Sequence, residues 1–359
     1  MSTPRAAGRV ALIGYGFGGS LFHAPFIAGE PRLDLVSIVT ANSQRQSEVA
    51  ARYAETRVVA RVEDLLARID DVDLVVISTP NSTHVAIAEM VLASGCPVVV
   101  DKPVAPSADE VRRLAALAEA AGTRVVPFQN RRWDGDFRTV TALLGAGDLG
   151  TLNTFESRYE RWQPQIPTGA DRSWKRGPKQ GAGTGILFDL GTHVIDQAIV
   201  LFGRPDSVYA EVAILRPRAE VDDDVFVTLH YPHGPRVHLW TSAVAADRGP
   251  RFRLLGSGSA YVKMGMDVQE AMLITGHSPT EPGWGEEPPA SWGHIDTGTE
   301  RREVPTRAGA YQLFYSGMAS FLLDGAPPPV DVADAVVTAE VIDAAYLSSH
   351  HGTTVNLTS

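Results

Sequence analysis

The stretch VALIGYGFGG, residues 10–19, decides the fold of the first half of the chain. An apolar, β-rich run ends at Gly14, and Gly14, Gly16 and Gly19 then follow in the G-x-G-x-x-G spacing. In that pattern the first glycine allows a tight turn, the second lets the backbone approach a pyrophosphate, and the third lets a helix pack on the strand. Because the pattern directly follows the first strand, it predicts a dinucleotide-binding turn with the phosphates at a helix N-terminus.

The chain after this turn alternates short apolar runs with helical patterns as far as Gln129. The apolar runs are VALIG, LDLVSIV, VDLVVIS, PVVVD and TRVVPF. Helices are predicted between them at 44–53, 83–93 and 107–121, and the last begins with the capping box SADE. Apolar strands separated by helices indicate a parallel sheet covered on both faces. We therefore predict an α/β fold in which residues 1–129 form a doubly wound Rossmann domain.

The sequence pattern changes after residue 129. A helix is predicted near 137–144, followed by LNTFESRYERW, a long loop, a second helix, and alternating strands such as VFVTLHY, RVHLWTS and RFRLLGS. Residues 265–307 are rich in Gly, Pro, Ser and Thr and are predicted to be loops, and helices at 311–323 and 332–349 close the chain. We predict that residues 130–359 form an α+β domain with an open, mainly antiparallel sheet, whose C-terminal helix can pack back onto the first domain.

Composition and charge limit the classes of function. The 359 residues are 44% hydrophobic and 21% charged, which is typical of a soluble globular protein of two or three domains. A formal net charge of -10 argues against a nucleic-acid or membrane partner and favours a small molecule. Cys96, the single cysteine, cannot form an internal disulfide, so a reducing cytoplasm is expected. No segment approaches the roughly 18 apolar residues of a membrane span.

The end of the second strand indicates which dinucleotide binds. An NAD site usually places an acidic side chain there to accept hydrogen bonds from the ribose. In the sequence IVTANSQRQ that place is taken by Thr40, with Asn42, Ser43 and Arg45 just beyond. Hydroxyls and a guanidinium suit a 2′-phosphate, which a carboxylate would repel, so NADP is favoured over NAD. In the alternative interpretation, Arg45 simply lies on the surface of the next helix.

The stretch LFDLGTHVID, residues 187–196, places three polar side chains within an apolar helix. At helical spacing Asp189, His193 and Asp196 fall on one narrow strip, with the apolar residues opposite. The strip either faces water, as charged residues mostly do, or presents a carboxylate and an imidazole to a ligand. Metal binding would need further ligands from elsewhere in the chain. The spacing alone leaves these alternatives open.

Four motifs in order resemble one known family. They are GYGFGG, STPNSTH (residues 78–84), DKP (101–103) and GTGILFDLGTHVID (183–196), and together they look like the glucose-fructose oxidoreductase/inositol dehydrogenase/rhizopine-catabolism (Gfo/Idh/MocA) family. GYGFGGSLFHAPFI, FQNRRWDGDF and ESRYERW are further similar to its NADP-dependent scyllo-inositol dehydrogenase-like branch. The resemblance covers nearly the whole chain. It implies a nicotinamide cofactor, a sugar or cyclitol alcohol as substrate, and a homodimer or homotetramer assembled through the open sheet.

The resemblance also implies roles for individual residues. Lys102 matches the lysine of the family's Glu-Lys-Pro motif, with Asp101 standing where glutamate is usual, and Asp189 and His193 match its helical Asp-x-x-x-His pair. In the implied reaction, His193 takes the hydroxyl proton and titrates near neutrality, while Lys102 stabilises the developing alkoxide. Asp189 would orient the substrate hydroxyls or the Lys102 ammonium. Asp196 is expected to lie behind the site or on the helix surface.

Position and resemblance together predict two sets of binding residues. The cofactor set is Gly14, Tyr15, Gly16, Phe17, Gly18, Gly19, Thr40, Asn42, Ser43, Arg45, Thr79, Pro80, Asn81, His84, Asp101, Lys102 and Asn130. The substrate set is Trp133, Arg158, Trp174, Asp189 and His193. The cationic and aromatic stretch 158–185 either caps the cleft or is an ordinary loop or subunit contact.

A metal site and two other classes of function are less well supported by the sequence than an oxidoreductase. His230, His233 and His238 invite a zinc hypothesis, but no carboxylate or thiol cluster accompanies them, so they are expected to be surface residues and no metal is predicted. The implied fold also supports a cofactor-dependent glycoside hydrolase and a non-catalytic dinucleotide sensor. Lys102, Asp189 and His193 argue against the sensor, which has no need of proton-transfer groups.

Overall fold

The computed structural model describes residues 7–166 and 183–357, and within them two sheets form the frame. The first sheet has six parallel strands in the order β3-β2-β1-β4-β5-β6. This order reverses direction between β1 and β4, which is where doubly wound sheets bind ligands. The strands are β1 (Gly8–Ile13), β2 (Leu33–Val39), β3 (Arg57–Val59), β4 (Leu74–Ile77), β5 (Val98–Val100) and β6 (Val125–Pro127).

Helices cover both faces of this sheet, because its strands are apolar on both sides. Val10 and Leu12 pack in one core cluster, whereas Ala11 and Ile13 pack in another. The predicted helices at 44–53, 83–93 and 107–121 are confirmed to within a residue or two, and the Ser107 hydroxyl caps the last of them. The helices are α1 (Ala24–Gly29), preceded by a π-helical turn (Gly19–His23), α2 (Ser43–Arg52), α3 (Val62–Leu66), α4 (His84–Leu92) and α5 (Ala108–Ala120).

The second sheet is mainly antiparallel, as predicted. Its nine strands run in the order β14-β13-β12-β11-β7-β10-β9-β8-β15, and only β7 and β10 pair in parallel. The fold-class prediction is therefore confirmed for the described residues. The strands are β7 (Leu152–Glu160), β8 (Ser207–Ala213), β9 (Asp224–His230), β10 (Arg236–Ser242), β11 (Phe252–Gly256), β12 (Ala260–Lys263), β13 (Gly293–Asp296), β14 (Arg301–Val304) and β15 (Val355–Asn356).

The second half has five α-helices within the described residues: α6 (Gly135–Ala146), α7 (Thr192–Phe202), α8 (Gln269–Ile274), α9 (Gln312–Asp324) and α10 (Val332–His351). A π-helical turn (Leu187–Gly191) leads into α7. The prediction that 265–307 is entirely loop is wrong, because α8, β13 and β14 lie in it. These elements are four to six residues long and β13 depends on pairing with β12, so local composition does not reveal them.

One face of the second sheet packs on α7 and α10, and its apolar residues form the core of this half. The other face carries half-buried aromatic residues: Phe226 lies 5.0 Å from Trp240 between ring centroids and 5.9 Å from His238. The implied role of this face in oligomerisation stays a prediction. No helix of the described residues is long and apolar enough to cross a membrane.

The C-terminal helices join the two halves of the molecule. Helix α9 packs on α1 and β1, and α10 packs on α5 of the first half as well as on α7 and β8 of the second. Close to this junction, a buried ion-pair cluster links the turn that follows β6 (Asn130–Trp133) to α7 and α10. Arg132 Nε and Nη2 donate to the Asp196 carboxylate at 2.8 and 2.6 Å, and Nη2 also donates to Asp334 of α10 at 2.9 Å. Asp196 was expected to lie either behind the site or on the helix surface, and the structure places it behind the site.

We expect Asp196→Ala to destabilise the fold by about 3 kcal/mol, because removing one partner of a buried ion pair leaves the other charge poorly compensated. This is the low end of the usual range, since Arg132 keeps Asp334. Urea unfolding measures the effect. The matched control is Asp109→Ala, which removes a carboxylate that is 93% exposed and pairs with Arg112 at 2.7 Å. The control should cost no more than about 1 kcal/mol. Equal losses would mean that the buried cluster contributes no more to stability than an exposed ion pair.

Candidate active site

The glycine-rich turn has the geometry that a dinucleotide requires. Gly14 has a φ of +100°, and a Cβ there would lie 2.2 Å from the Ser78 carbonyl oxygen. A Cβ on Gly19 would lie 2.0 Å from the Gly14 carbonyl oxygen, so both positions demand glycine. A Cβ on Gly16, in contrast, would meet nothing within 4 Å. The tip of the turn therefore offers open space beside its backbone, which is where a pyrophosphate would lie.

The other residues of the turn differ in what they offer a cofactor. Tyr15 is only 4% exposed and its ring belongs to an apolar core cluster, which leaves its backbone for the cofactor. Phe17 is 57% exposed and packs edge-on against Phe22. Gly18 lies against the next strand ends, because a Cβ there would be 2.6 Å from Ser78 Oγ and 3.1 Å from Asp101 Oδ2. The turn is thus held against the ends of β4 and β5.

The end of β2 carries no carboxylate. Thr40 is buried, and its hydroxyl accepts the Asn42 N–H at 3.4 Å. The Asn42 side chain caps α2 by accepting the Arg45 N–H at 3.0 Å, so it has a structural role there. Ser43 is exposed and Arg45 is half-buried in the first turn of α2. A hydroxyl and a guanidinium beside a helix N-terminus are the groups that this edge offers a phosphate.

The loops after β4 and β5 are tied together by His84. Its imidazole is completely buried, with Nδ1 2.9 Å from the Pro103 carbonyl oxygen and Nε2 2.9 Å from the Thr79 carbonyl oxygen. The prediction that His84 contacts the cofactor is therefore wrong, since both ring nitrogens are occupied by backbone. Asn81 donates to the Gly183 carbonyl oxygen at 2.7 Å and connects this edge to the second half.

The other residues predicted to contact the cofactor differ in exposure. Pro80 is exposed, and the Thr79 and Thr83 hydroxyls are 2.7 Å apart. Asn130 is 6% exposed at the start of a 3-10 turn (Asn130–Trp133) that directly follows β6. These positions stay candidates for cofactor contacts.

Lys102 meets Asp189 across the two halves of the molecule. Lys102 Nζ donates to Asp189 Oδ1 at 2.9 Å and also to the Asp189 carbonyl oxygen. Both side chains keep part of their surface in the cleft, at 20% and 25% exposure. The π-helical turn that delivers Asp189 contains an extra residue per turn, and such turns are frequent at functional sites. Asp189 is therefore bonded to the ammonium of Lys102, which is the contact that one of its two expected roles requires.

His193 lies one turn further along the same helix and is 5% exposed. Its ring stacks on that of Tyr159, with centroids 6.3 Å apart. Nδ1 is buried and finds no hydrogen-bond partner within residues 7–166 and 183–357. The interpretation of the strip as a solvated face is wrong, because Asp196 is buried as well. The helix is covered on its polar side by the cluster around Arg132 and on its apolar side by the sheet.

The expectation that His193 titrates near neutrality is also wrong. Burial, and then the positive charges of Lys102 and Arg131, hold the pKa of His193 well below its ordinary value, and Asp189 opposes them only in part. The imidazole is therefore neutral at physiological pH. A neutral ring is the form that accepts a proton.

Four further residues lie around His193. The sequence did not single out Arg131 and Glu270, whereas Tyr159 and Arg161 belong to the stretch 158–185 that was expected either to cap the cleft or to be an ordinary loop. The Tyr159 hydroxyl accepts from Arg131 Nη2 at 2.6 Å and from Arg161 Nη2 at 2.8 Å. Glu270 pairs with Arg131 and lies 3.4 Å from the Tyr159 hydroxyl. The alternation of β7 was the available signal for Tyr159, because it shares a face with the buried Ser157. Glu270 lies on α8, within the segment predicted to be loop.

The same alternation corrects the prediction for Arg158. Its side chain lies on the opposite face of the sheet from Tyr159, where its guanidinium carbon sits 3.8 Å from the Trp240 ring centroid and it pairs with Glu156 at 3.0 Å. Arg158 therefore does not reach the cleft that holds His193.

The other predicted substrate residues are also placed differently or not described. The Trp133 ring packs edge-on against Phe314 of α9 at 5.8 Å, so it supports the apolar core rather than a substrate. Trp174 and most of the cationic stretch 158–185 lie outside the described residues. His230 and His233 are exposed, as expected, whereas His238 is half-buried in β10. Within residues 7–166 and 183–357, no group of three or more His, Cys, Asp or Glu side chains is arranged to hold a metal ion.

Comparison with known proteins agrees with this architecture in both halves. The model for the oxidoreductase family's NAD-binding Rossmann fold matches residues 8–128, and the model for its C-terminal alpha/beta domain matches residues 141–357. The chain belongs to the Gfo/Idh/MocA family. The resemblance stated from the motifs is thereby confirmed, and the protein is an oxidoreductase with a nicotinamide-dinucleotide-binding domain.

Individual Gfo/Idh/MocA relatives match over the full length. The chain is 38% identical over 351 residues to YdgJ of Escherichia coli, an uncharacterised oxidoreductase, covering 97% of this chain and 98% of the relative. It is 31% identical to IolW of Bacillus subtilis, a scyllo-inositol 2-dehydrogenase (NADP(+)), covering 97% and 96% of the two chains. Among solved structures, the oxidoreductase YvaA of Bacillus subtilis superposes with a TM-score of 0.92 at 31% identity, covering 99% and 100%.

Proposed function

We propose that this oxidoreductase transfers hydride between NADP and a secondary alcohol, or the corresponding ketone, of a cyclitol or sugar. The observation that carries the proposal is the meeting of Lys102, Asp189 and His193 at the carboxyl-terminal edge of the parallel sheet. Ligands of open α/β sheets bind at this edge. The relative IolW, which acts on scyllo-inositol with NADP(+), supports the substrate class.

The residues of the first half fit the cofactor. The open space beside Gly16 would take the pyrophosphate, and Ser43 and Arg45 would take the 2′-phosphate at the end of β2. When bound, NADP supplies the nicotinamide carbon that accepts or returns the hydride.

The chain's own residues perform the proton chemistry. His193 takes the proton of the substrate hydroxyl, since its lowered pKa keeps it in the basic form at neutral pH. Lys102 donates a hydrogen bond to the substrate oxygen and stabilises the negative charge that develops there. Asp189 holds the ammonium of Lys102 in place through the 2.9 Å contact. The same lowered pKa leaves little imidazolium at neutral pH to return a proton to the ketone oxygen in the reverse direction.

The proposal is tested by nicotinamide absorbance with a panel of cyclitols, aldoses and keto-sugars, each with NADP and NAD. We expect a cyclitol or sugar to reduce NADP with a kcat/KM at least 10-fold higher than NAD, because the end of β2 lacks a carboxylate. Release of a sugar without net absorbance change would indicate a cofactor-dependent glycoside hydrolase instead. Cofactor binding without turnover of any compound would indicate a sensor.

Arg45→Ala should weaken NADP binding by roughly 1.5–3 kcal/mol, the range for a hydrogen bond to a charged group, and barely affect NAD. Fluorescence titration of the reduced cofactors gives both dissociation constants. Arg68→Ala is the control, because Arg68 is 57% exposed and bonds Asp71 at a distant surface. Equal weakening of both cofactors by Arg45→Ala would contradict the assignment of the 2′-phosphate.

His193→Asn should lower kcat/KM for alcohol oxidation by about 10² to 10⁴, because the amide cannot take the proton. In the unsubstituted enzyme, the ionisation of His193 should not change log kcat/KM across neutral pH, because its pKa is lowered. Log kcat/KM should fall only in acid, as His193 becomes protonated. That acid limb should disappear in the variant.

The matched control is His230→Asn at the exposed end of β9, which should leave both the rate and the pH profile unchanged. If His193→Asn behaves like this control, His193 is not the base. Circular dichroism on both variants separates a loss of chemistry from a loss of fold.

A further inference from the structure

We infer that His23 is a positioning residue for Lys102. Together with Tyr315, His23 holds the Asp101 carboxylate in place. His23 and Asp101 thus form a matched pair that replaces the longer glutamate usual at position 101 in the family. The inference rests on the proposed function of Lys102. It concerns a cluster beneath the cleft that the reaction itself does not use.

The cluster joins several ends of the parallel strands. Asp101 directly follows β5, and its Oδ1 accepts the backbone N–H of Lys102 at 2.8 Å. Its Oδ2 accepts from Ser78, which follows β4, at 3.0 Å, and lies 3.4 Å from His23 Nε2. His23 itself lies in the π-helical turn that follows the glycine-rich loop. Asp101 is therefore the point at which three neighbouring segments of the cofactor edge are bonded together.

The partners of His23 fix the direction of each hydrogen bond. Hydrogen bonds and the charges of His23, His84 and Lys102 outweigh burial and lower the pKa of Asp101 to about 2, so its carboxylate only accepts. His23 Nε2 must then carry the hydrogen. Nδ1 lies 2.6 Å from the Tyr315 hydroxyl, which keeps its proton because burial raises its pKa well above the ordinary value. In the tautomer with the hydrogen on Nε2, Nδ1 accepts and the phenol donates. The chain of donors runs from Tyr315 through His23 to Asp101.

The cluster crowds the Asp101 carboxylate on the sides of His23 and the glycine-rich loop, although 21% of the Asp101 side chain is exposed. His23 has no exposed surface, and the Phe128 ring lies 4.1 Å from its ring centroid. On another side, Asp101 Oδ2 is 3.1 Å from the position of a Cβ on Gly18. A further methylene at residue 101 would push the carboxylate into His23 or the glycine-rich loop. The His23 imidazole thus occupies the space that a glutamate side chain would need. It also donates a hydrogen bond to the shorter carboxylate of Asp101.

The consequence for the reaction passes through the backbone of Lys102. Asp101 fixes the Lys102 N–H, and Lys102 reaches from there to Asp189 at 2.9 Å. A carboxylate that loses its His23 partner can rotate, and the ammonium then no longer lies where negative charge develops. Since that charge exists only in the transition state, the loss should appear in kcat rather than in KM.

The experiment is a swap within the pair, using the full-length enzyme. His23→Ser and Asp101→Glu should each lower kcat about 10-fold or more, the equivalent of one hydrogen bond to a charged group, with KM for the alcohol changed less than about 3-fold. The double variant, in which serine vacates the space that glutamate needs, should recover most of the lost kcat. Titration with NADPH should give a dissociation constant for His23→Ser within about 3-fold of that of the unsubstituted enzyme.

Tyr315→Phe tests the outer link without altering packing and should lower kcat with unchanged KM. Tyr209→Phe, which removes an exposed hydroxyl that bonds Glu211 from a half-buried ring, should change neither. Circular dichroism identifies any variant that fails to fold. A double variant no better than the worse single variant, or single variants that lose stability but keep kcat, would overturn the inference. Lys102→Ala distinguishes a failure of the proposed function from a failure of this inference. If Lys102→Ala retains kcat, the proposed role of Lys102 is wrong, independently of the results for His23 and Asp101.

Discussion

The contact between Lys102 and Asp189 is the interaction on which the active site depends. Lys102 follows a strand of the parallel sheet, whereas Asp189 enters from a helix that packs on the other sheet, so the contact exists only when the two halves are docked. The docking is secured elsewhere by α10, which packs on both halves, and Arg132 ties α10 and α7 to the turn after β6. The chemistry is thus placed on rigid elements, and its geometry is set by packing remote from the cleft.

The parts of this molecule that the sequence predicts well are those specified by local patterns. The apolar runs and the capping box of α5 define the first sheet and its helices, because buried parallel strands and capped helices follow from nearest-neighbour composition. The G-x-G-x-x-G turn is equally local, since Gly14 and Gly19 are required by contacts within the turn and with the adjoining strand. The pairing of Lys102 with Asp189 came instead from the family resemblance, since 87 residues separate them.

The features that could not be predicted from the sequence depend on which face of a strand or helix carries a side chain and on which other residues cover that face. Arg158 and Tyr159 are neighbours in sequence but lie on opposite faces of β7, and a composition-based view of the stretch counts them together. The strip of Asp189, His193 and Asp196 is helical in spacing, yet whether it meets water or protein is decided by Arg132, which belongs to a distant turn. The pKa of His193 follows from that coverage and not from its residue type.

The charges around His193 explain why a buried and neutral base is useful. Lys102 pairs with Asp189, and Arg131 pairs with Glu270 and with Asp134. Arg161 bonds the hydroxyl of Tyr159. The charges of Lys102, Arg131 and Arg161 all lower the pKa of His193. These cations disfavour an imidazolium and favour a negative oxygen in the same place. In the proposed reaction, the same field that weakens His193 as a base would stabilise the negative oxygen of the substrate, because both effects arise from cations held close to one buried site.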